Sequence, residues 1–297
     1  MLIKKLAIIG VGLIGGSLAG ALRRAGACKH ISGYGRDQGN LQKAVELGVI
    51  DDYSTDIASV VANADVVVLA TPLSTIEPLL RSMLNALQPH TIITDTGSAK
   101  GSVVRAARSA LNNKLQRFVP GHPIAGTEQS GVEASFPDLF VDHMVILTPL
   151  EENDADAVDL VTRMWETCGA TVVSLSVDRH DQILAATSHL PHVLAYSLVD
   201  YLASMDEHDE IFRFSAGGFR DFTRIASSNA EMWSDICIAN RDELLEVIKQ
   251  FETHLAEITT LIRNNDKNGL RDIFARVKQT RDSLMAERQS LLTRKNH

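Results

Sequence analysis

The fold of this chain is decided by the stretch Leu6-Ala7-Ile8-Ile9-Gly10-Val11-Gly12-Leu13-Ile14-Gly15-Gly16-Ser17. Its first four residues are apolar and predict a buried strand, and the pattern from Ser17 to Ala25 predicts a helix. Three glycines stand between strand and helix at G-x-G-x-x-G spacing: Gly10, Gly12 and Gly15. This context predicts a dinucleotide-binding turn, in which free N–H groups at the start of the helix, at Leu13 and Ile14, meet the phosphates. The alternative is a glycine-rich turn that only joins strand to helix.

Length and composition indicate a globular protein of two domains. The chain has 297 residues, of which 45% are hydrophobic and 22% charged, and no apolar stretch is long enough to span a bilayer. Cys28, Cys168 and Cys237 lie far apart, which predicts reduced thiols and a cytoplasmic location. The net charge of −8 argues against nucleic acid and against an anionic membrane as partners.

The end of the second predicted strand, His30 to Tyr34, bears on the choice of cofactor. Folds that prefer NAD place a carboxylate about 20 residues after the glycines, where it accepts the ribose 2′-OH. Here Gly35 occupies that position and Arg36 follows, so a 2′-phosphate meets a guanidinium instead of a repelling charge. We therefore favour NADP and keep NAD as the alternative. Asp37 could reach a ribose, but it is also suited to cap the next helix.

Strand and helix patterns alternate through the first half of the chain. Apolar strands are predicted at 65–70 and 91–95, and this order predicts an α/β fold, a Rossmann-type doubly wound parallel sheet. Ligands of such sheets bind at the carboxyl ends of the strands, so we expect Thr71 and Pro72 and the segment 96–100 to line the cleft. Two more strands are predicted at 143–148 and 171–176.

The second half of the chain changes to helical patterns, and we place the domain boundary between residues 176 and 177. The dinucleotide-binding domain then covers 1–176 and an all-α domain covers 177–297. One long helix is predicted from Asp178 to Ala203, with an interruption near Pro191. The segment 243–263 is strongly amphipathic, and helices of this kind commonly pack against a symmetry mate, so we predict a homodimer through this domain.

A histidine follows a strand-like segment in the sequence Gly121-His122-Pro123. We expect a rigid loop there, and an imidazole is suited to accept a proton at neutral pH. His189 and His192 lie three residues apart on one predicted helix, where they could suggest a metal. No third ligand has a suitable spacing, so we predict no metal site.

Five segments resemble the prephenate/arogenate dehydrogenases of tyrosine biosynthesis, in the right order and over essentially the whole chain. The segments His122-Pro123-Ile124-Ala125-Gly126 and Asp221-Phe222-Thr223-Arg224 are the most specific, whereas many dehydrogenases share the glycine turn. The five segments are 10–17, 95–100, 121–128, 188–192 and 218–226. The resemblance implies an N-terminal nucleotide-binding domain, a helical dimerisation domain, and oxidative decarboxylation of prephenate to 4-hydroxyphenylpyruvate, of arogenate to tyrosine, or of both.

In this reaction, a hydride leaves C4 of a cyclohexadienol for the nicotinamide while the C4 hydroxyl becomes a carbonyl. Loss of CO2 then makes the ring aromatic. The resemblance implies that His122 is the catalytic histidine and that Ser98 orients it and the substrate hydroxyl. It also implies that Arg224 binds the ring carboxylate, for which a planar guanidinium fork is suited.

The remaining residues that match the family are expected around the substrate. His192 matches a histidine of the substrate pocket, and Glu128 and Asp221 match acidic residues at its mouth, where we hypothesise that they position Arg224 or gate entry. Several alternatives stay open. Ser98 could simply cap a helix, Arg220 or Lys100 could hold the ring carboxylate, and His189 could meet the substrate instead of His192.

Two other functions compete with this interpretation. A β-hydroxyacid dehydrogenase or imine reductase shares the glycine turn and the following helices, but it would need a lysine-centred site on the first helix of the second domain. The segment 178–195 contains histidines and no lysine. A nucleotide-sensing module without turnover would not need His122, Ser98 and Arg224 together.

Overall fold

A computed structural model describes residues 1–294, with side chains up to residue 286. The chain forms two compact units, Met1–Leu244 and the part from Leu245 onward. The strands in the described chain are β1 Ile3–Ile9, β2 Cys28–Tyr34, β3 Asp52–Ser54, β4 Val66–Leu69, β5 Ile92–Asp95, β6 Phe118–Val119, β7 Gly121–Pro123, β8 Met144–Leu147 and β9 Thr171–Ser174. They form a six-stranded sheet of order β3-β2-β1-β4-β5-β6 and a three-stranded sheet of order β7-β8-β9.

Helices join the strands and make up the second half of the chain. In the first half they are α1 Leu13–Arg24, α2 Gln38–Glu46, α3 Ile57–Val61, α4 Ile76–Met83, α5 Lys100–Leu111 and α6 Ala155–Thr167. After residue 176 they are α7 Val177–Leu184, α8 Leu190–Ala203, α9 His208–Arg213, α10 Gly217–Thr223, α11 Ala230–Ala239, α12 Arg241–Arg263 and α13 Lys267–Arg294.

The six-stranded sheet is parallel throughout and is covered on both faces. Successive residues of a strand point to opposite faces, so Ile8 packs with α1 and α6 while Ile9 packs with α3, α4 and α5. All four residues of β4 are buried, as expected for a strand between two helical layers. The predicted α/β fold with a helical second part is confirmed.

The strands predicted at 143–148 and 171–176 exist, but they lie outside the main sheet. They are β8 and β9, and β7 joins them to form a separate small sheet. The prediction of a loop around His122 is wrong, because Gly121–Pro123 pairs antiparallel with β8, with His122 opposite Ile146. Pro123 cannot donate a ladder hydrogen bond, and it is tolerated because it ends an edge strand.

The helix predicted from 178 to 203 is interrupted, as expected. Residues 185–189 form one turn of π-helix between α7 and α8. Pro191 lacks the N–H that would complete the helical ladder, and the wider turn accommodates this loss. Within the described chain, strands end at Ser174, and the domain boundary after residue 176 stays a prediction.

In the described chain, the second unit consists of α12 from Leu245 onward and of α13. Several large apolar side chains of this unit are exposed: Leu255, Ile262, Phe274, Val277 and Leu284. Among residues 1–294, no helix is both long and apolar enough to cross a membrane.

Candidate active site

A cleft of about 840 Å³ opens at the carboxyl ends of β1, β2 and β4, bordered by the glycine turn. Gly10 has a φ of +98°, a conformation that favours glycine, and it lies against the backbone of Ala70. A Cβ on Gly12 would meet nothing within 4 Å, so this residue leaves free space in the cleft. A Cβ on Gly15 would lie 2.8 Å from Ile8 Cγ2, so α1 packs as closely on β1 as the pattern predicts.

The residues predicted to bind the cofactor divide into two groups. Gly10, Gly12, Arg36, Thr71 and Pro72 line the cleft. Leu13, Ile14 and Gly15 are not among its lining residues, because their side chains or Cα atoms face the protein interior. They begin α1 directly after Gly12, so they would meet a ligand through backbone N–H groups. A dinucleotide therefore fits this cleft.

The far rim of the cleft contains Gly35, Arg36 and Asp37. Arg36 is exposed, and its guanidinium is free to meet a ligand because no ion pair within residues 1–286 involves it. Asp37 caps α2, since its Oδ1 accepts a hydrogen bond from Asn40 N at 3.1 Å. Asp37 therefore has the helix-capping role that the sequence left open.

A buried ion pair fixes the strand that carries His122. The ammonium of Lys100 donates to Asp95 and, at 2.5 Å, to the carbonyl oxygen of Gly121. Asp95 Oδ1 in turn accepts the N–H of Gly121 at 3.1 Å. Both charged side chains are fully buried. Lys100 therefore braces the start of β7 from within the protein, which argues against the alternative that it holds a substrate carboxylate.

His122 belongs to a continuous chain of hydrogen bonds. Its Nδ1 lies 2.9 Å from Nε2 of His180, and Nδ1 of His180 lies 2.7 Å from Oδ1 of Asp181. Asp181 also accepts the backbone N–H groups of Lys100 and Gly101, at 2.7 Å each. The carboxylate therefore caps α5, whose first residue is Lys100, and joins it to α7.

The protonation states in this chain follow from its surroundings. Burial, followed by the neighbouring His180, Lys100 and His189, lowers the pKa of His122 well below its ordinary value. Burial raises the pKa of Asp181, but the hydrogen bonds from His180, Lys100 and Gly101 outweigh it and hold the pKa of this carboxyl below its usual range. At neutral pH the imidazole of His122 is therefore neutral and Asp181 is ionised.

His189 and His192 occupy different environments on either side of Pro191. Nδ1 of the fully buried His189 accepts a hydrogen bond from the amide of Asn240 at 3.1 Å, and burial lowers its pKa to about 4. His192 is half-buried, stacks on Trp233 with a centroid distance of 3.5 Å, and donates from Nδ1 to Ser188 O at 2.8 Å. His192 therefore keeps an unprotonated Nε2. Among residues 1–286, no group of three side chains suitable for a metal occurs.

The residues predicted at the mouth of the substrate pocket lie at the surface, and among these described side chains only Arg224 and Glu128 are in contact. Arg224 forms an ion pair with Glu128, and the side chains are 64% and 39% exposed. Asp221 lies on the exposed α10, one helical turn before Arg224, and the described part of the chain gives it no ion pair. Arg220 is exposed on the same helix.

Ser98 lies between Asp95 and Lys100, in the loop after β5. It is half-buried, and its backbone carbonyl faces the ring of His189. The alternative that Ser98 caps a helix is wrong, because α5 has Ala99 at its N-cap and the capping carboxylate comes from Asp181. The side chain of Ser98 is therefore available for another role.

Sequence reasoning missed four residues of this region: His180, Asp181, Trp233 and Asn240. Asn240 donates to Asp181 O at 2.9 Å and to His189, so it joins the two histidine environments. The adjacent pair His180-Asp181 was a usable signal, since a histidine beside a carboxylate has the chemistry needed to orient a second imidazole. Trp233 and Asn240 follow no recognisable spacing.

Comparisons with known proteins agree with this architecture. A family model described as the nucleotide-binding domain of prephenate dehydrogenase matches residues 18–174, and one described as its dimerization domain matches residues 176–276. A cyclohexadienyl dehydrogenase of Zymomonas mobilis is 37% identical over 286 residues, which are 96% of this chain and 97% of that protein.

Two solved structures extend the comparison. Prephenate dehydrogenase of Aquifex aeolicus, in complex with hydroxyphenyl propionate and NAD+, superposes with a TM-score of 0.89 at 38% identity, covering 95% of this chain and 98% of that one. Arogenate dehydrogenase of Synechocystis superposes with a TM-score of 0.79 at 30% identity, covering 94% and 99%.

Proposed function

Because the chain belongs to the prephenate dehydrogenase family, we propose that it is the dehydrogenase of tyrosine biosynthesis that oxidatively decarboxylates prephenate, arogenate or both. The observation that carries this proposal is the neutral, buried imidazole of His122. Its Nδ1 is engaged by His180, and no hydrogen bond from the described side chains occupies its Nε2. A hydroxyl group of a substrate can therefore meet an unprotonated ring nitrogen.

His122 acts on the C4 hydroxyl of the substrate. A nicotinamide bound in the cleft would supply the acceptor for the hydride of C4. As C4 becomes a carbonyl carbon, the hydroxyl passes its proton to Nε2 of His122, and this general-base step lowers the barrier. The C1–carboxylate bond then breaks, its electron pair enters the ring, and CO2 leaves. His122 then returns the proton to the new phenol oxygen, so the substrate loses one hydride and one CO2 in total.

The other predicted site residues hold the substrate. We propose that Ser98 orients His122 and the substrate hydroxyl, and that Arg224 binds the ring carboxylate through its guanidinium fork. His192 offers Nε2 to the substrate, with its ring held against Trp233. Glu128 pairs with Arg224 at the mouth, and Asp221 lies nearby in sequence. The carboxylate of a substrate can take the place of Glu128 beside the guanidinium.

We propose NADP as the preferred cofactor, with NAD as the alternative. The position after β2 carries Gly35 where an NAD enzyme would carry a carboxylate, and Arg36 stands exposed on the rim of the cleft. Asp37 uses one of its oxygens to cap α2, so this carboxylate already has a structural role.

We also propose a homodimer formed through the helices after residue 176. The family description of the matched region, a dimerization domain, supports it. So do the exposed apolar side chains of α12 and α13, since monomeric proteins rarely leave so many on neighbouring helices. Cys28, Cys168 and Cys237 are free thiols, which fits a cytoplasmic location.

The experiment is a steady-state assay of reduced cofactor that crosses prephenate and arogenate with NADP and NAD. We expect turnover with at least one substrate and a higher kcat/KM with NADP. Arg36→Ala should remove the preference for NADP, whereas Arg24→Ala, which changes an arginine paired with Asp138 outside the cleft, should leave it unchanged. A clear preference of the unaltered protein for NAD would refute the Arg36 argument. Absence of turnover with both substrates would refute the proposed function and favour a nucleotide-sensing module.

A further inference from the structure

From Nδ1 of His122, a chain of hydrogen bonds continues into the protein interior. It passes through His180, which is fully buried, to Asp181, which is 6% exposed. The two links measure 2.9 Å and 2.7 Å, so both are ordinary hydrogen bonds. Both residues are buried, and the reaction as written above uses neither of them.

The donor of each hydrogen bond between His122 and Asp181 can be assigned by starting from Asp181. An ionised carboxylate only accepts, so Nδ1 of His180 carries the proton and donates it to Asp181. A neutral imidazole has a single N–H, so Nε2 of His180 is an acceptor. The contact between the two rings then requires Nδ1 of His122 to donate. The remaining nitrogen of His122, Nε2, is left with its lone pair.

We propose that His180 and Asp181 are positioning residues, which fix His122 in the tautomer with a free Nε2 and stabilise the charge that it gains from the substrate hydroxyl. This inference rests on the proposed function of His122. The same logic holds for any base whose second ring nitrogen is engaged by a fixed acceptor, because that hydrogen bond decides the tautomer.

The position of Asp181 is fixed by hydrogen bonds from three other residues. The backbone N–H groups of Lys100 and Gly101 bind its two oxygens separately, so the carboxylate cannot turn away from His180. The amide of Asn240 holds the carbonyl of the same residue at 2.9 Å. The carboxylate is therefore anchored to α5 on one side and, through its own backbone, to the residue that follows α11 on the other.

The charged groups around the rings of His122 and His180 favour a positive charge that is shared along the hydrogen bonds to Asp181. The positive charge of Lys100 on α5 lowers the pKa of both His122 and His180. Its ammonium, however, is bound to Asp95 of β5. His189 faces His122 and is neutral at pH 7, with a pKa of about 4. Asp181 is therefore the negative charge in direct contact with the imidazole pair, and a proton taken up at His122 is compensated through His180.

Replacement of His180 by leucine and by glutamine separates this role from simple packing. His180→Leu removes the acceptor, so Nδ1 of His122 loses its partner. His180→Gln offers an amide oxygen that can still accept from His122, but it cannot pass charge to Asp181. His254→Gln, at an exposed histidine of α12, is the matched control.

The readouts are the 15N resonances of His122, which distinguish the two tautomers without any substrate, and steady-state kinetics. We expect the unaltered protein to carry the proton on Nδ1. His180→Leu should shift His122 toward the other tautomer and lower kcat roughly 10- to 100-fold, part of the total contribution of a general base. KM and cofactor affinity should change less than about twofold, an effect below 0.5 kcal/mol.

His180→Gln should keep the tautomer and lose a smaller part of kcat, and the control should change neither. If His180→Leu does not fold, His180→Gln decides, and an unchanged kcat in that variant overturns the proposal. A proton on Nε2 of His122 in the unaltered protein also overturns it. These results differ from failure of the proposed function, in which the unaltered protein turns over neither substrate.

Discussion

The inner and outer parts of the site are built in opposite ways. His122, His180 and Asp181 are at most 8% exposed and are linked by hydrogen bonds, whereas Arg224 and Glu128 meet at the surface in water. Buried polar groups interact strongly but are costly to leave unpaired. An exposed ion pair contributes little to stability, so a ligand can exchange with it. We therefore expect changes in the inner part to affect the chemical step and stability, and changes in the outer part to affect recognition.

The largest expected effect is that of His122→Asn on the chemical step. The amide of asparagine can replace Nδ1 toward His180, but nothing replaces Nε2. We expect kcat to fall roughly 10²- to 10⁴-fold, the usual contribution of a general base, with cofactor affinity nearly unchanged. Steady-state kinetics and a cofactor titration measure both quantities. His143→Asn, at an exposed histidine just before β8, is the control, and a near-normal kcat in His122→Asn would refute the catalytic role.

The next effect is on stability, at the ion pair behind His122. Lys100→Met keeps the length and the apolar part of the side chain but leaves Asp95 as a buried charge without its partner. Loss of one partner of a buried pair typically costs about 3–5 kcal/mol. We expect urea denaturation to show a decrease of this size in the free energy of unfolding. Lys4→Met, at an exposed lysine of β1, should change it by less than about 0.5 kcal/mol. A decrease below about 1 kcal/mol would mean that the pair does not brace the strand.

The fold was largely predictable because its signals are local. Three features are each determined by a few neighbouring residues and are found where the sequence predicts them. They are the glycine turn, the strand at Val66–Leu69 and the break near Pro191. The strand at Gly121–Pro123 was not predictable in this way. Its pairing with β8 joins residues more than 20 positions apart, and three residues of glycine, histidine and proline have no strand periodicity.

The site was predictable where a family motif marks it and was missed where only geometry does. Ser98, His122 and Arg224 belong to recognisable segments. His180 and Asp181 gain their meaning from the 2.9 Å contact with His122, which depends on how α7 packs beside α5. No sequence pattern encodes that packing, because His122 and His180 are 58 positions apart along the chain.

A third, smaller effect is expected at the mouth. Arg224→Ala removes a charge-assisted hydrogen bond to the ring carboxylate, of the kind that contributes about 1.5–3 kcal/mol. We expect KM for the substrate to rise roughly 10- to 100-fold while kcat changes little, as for a group that binds ground state and transition state alike. Arg220→Ala is the matched control, because Arg220 is also exposed and lies one turn away. An unchanged KM in Arg224→Ala with a raised KM in Arg220→Ala would transfer the role to Arg220.

The smallest expected effect is the pH dependence of stability, and it also separates the two parts of the site. Burial is the first cause that lowers the pKa of His122, His180 and His189 below the ordinary 6.5, and His189 reaches about 4. Below pH 6.5 the unfolded chain binds protons at these three imidazoles while the folded protein leaves them neutral. Unfolding then takes up protons, so stability falls as the pH drops from 6.5 toward each lowered pKa, by up to about 1.4 kcal/mol per pH unit for each histidine.

Urea denaturation at pH 7.5, 6.5 and 5.5 measures this slope. His189→Asn keeps an acceptor for Asn240 and removes one buried imidazole, so it should flatten the slope below pH 6.5 by roughly 1.4 kcal/mol per unit. His143→Asn removes an exposed histidine outside the hydrogen-bond chain and should leave the slope unchanged. Equal slopes in the unaltered protein and in His189→Asn would mean that His189 is protonated in the folded state. The inner part of the site would then hold a positive charge beside His122, contrary to the neutral base on which the proposed reaction depends.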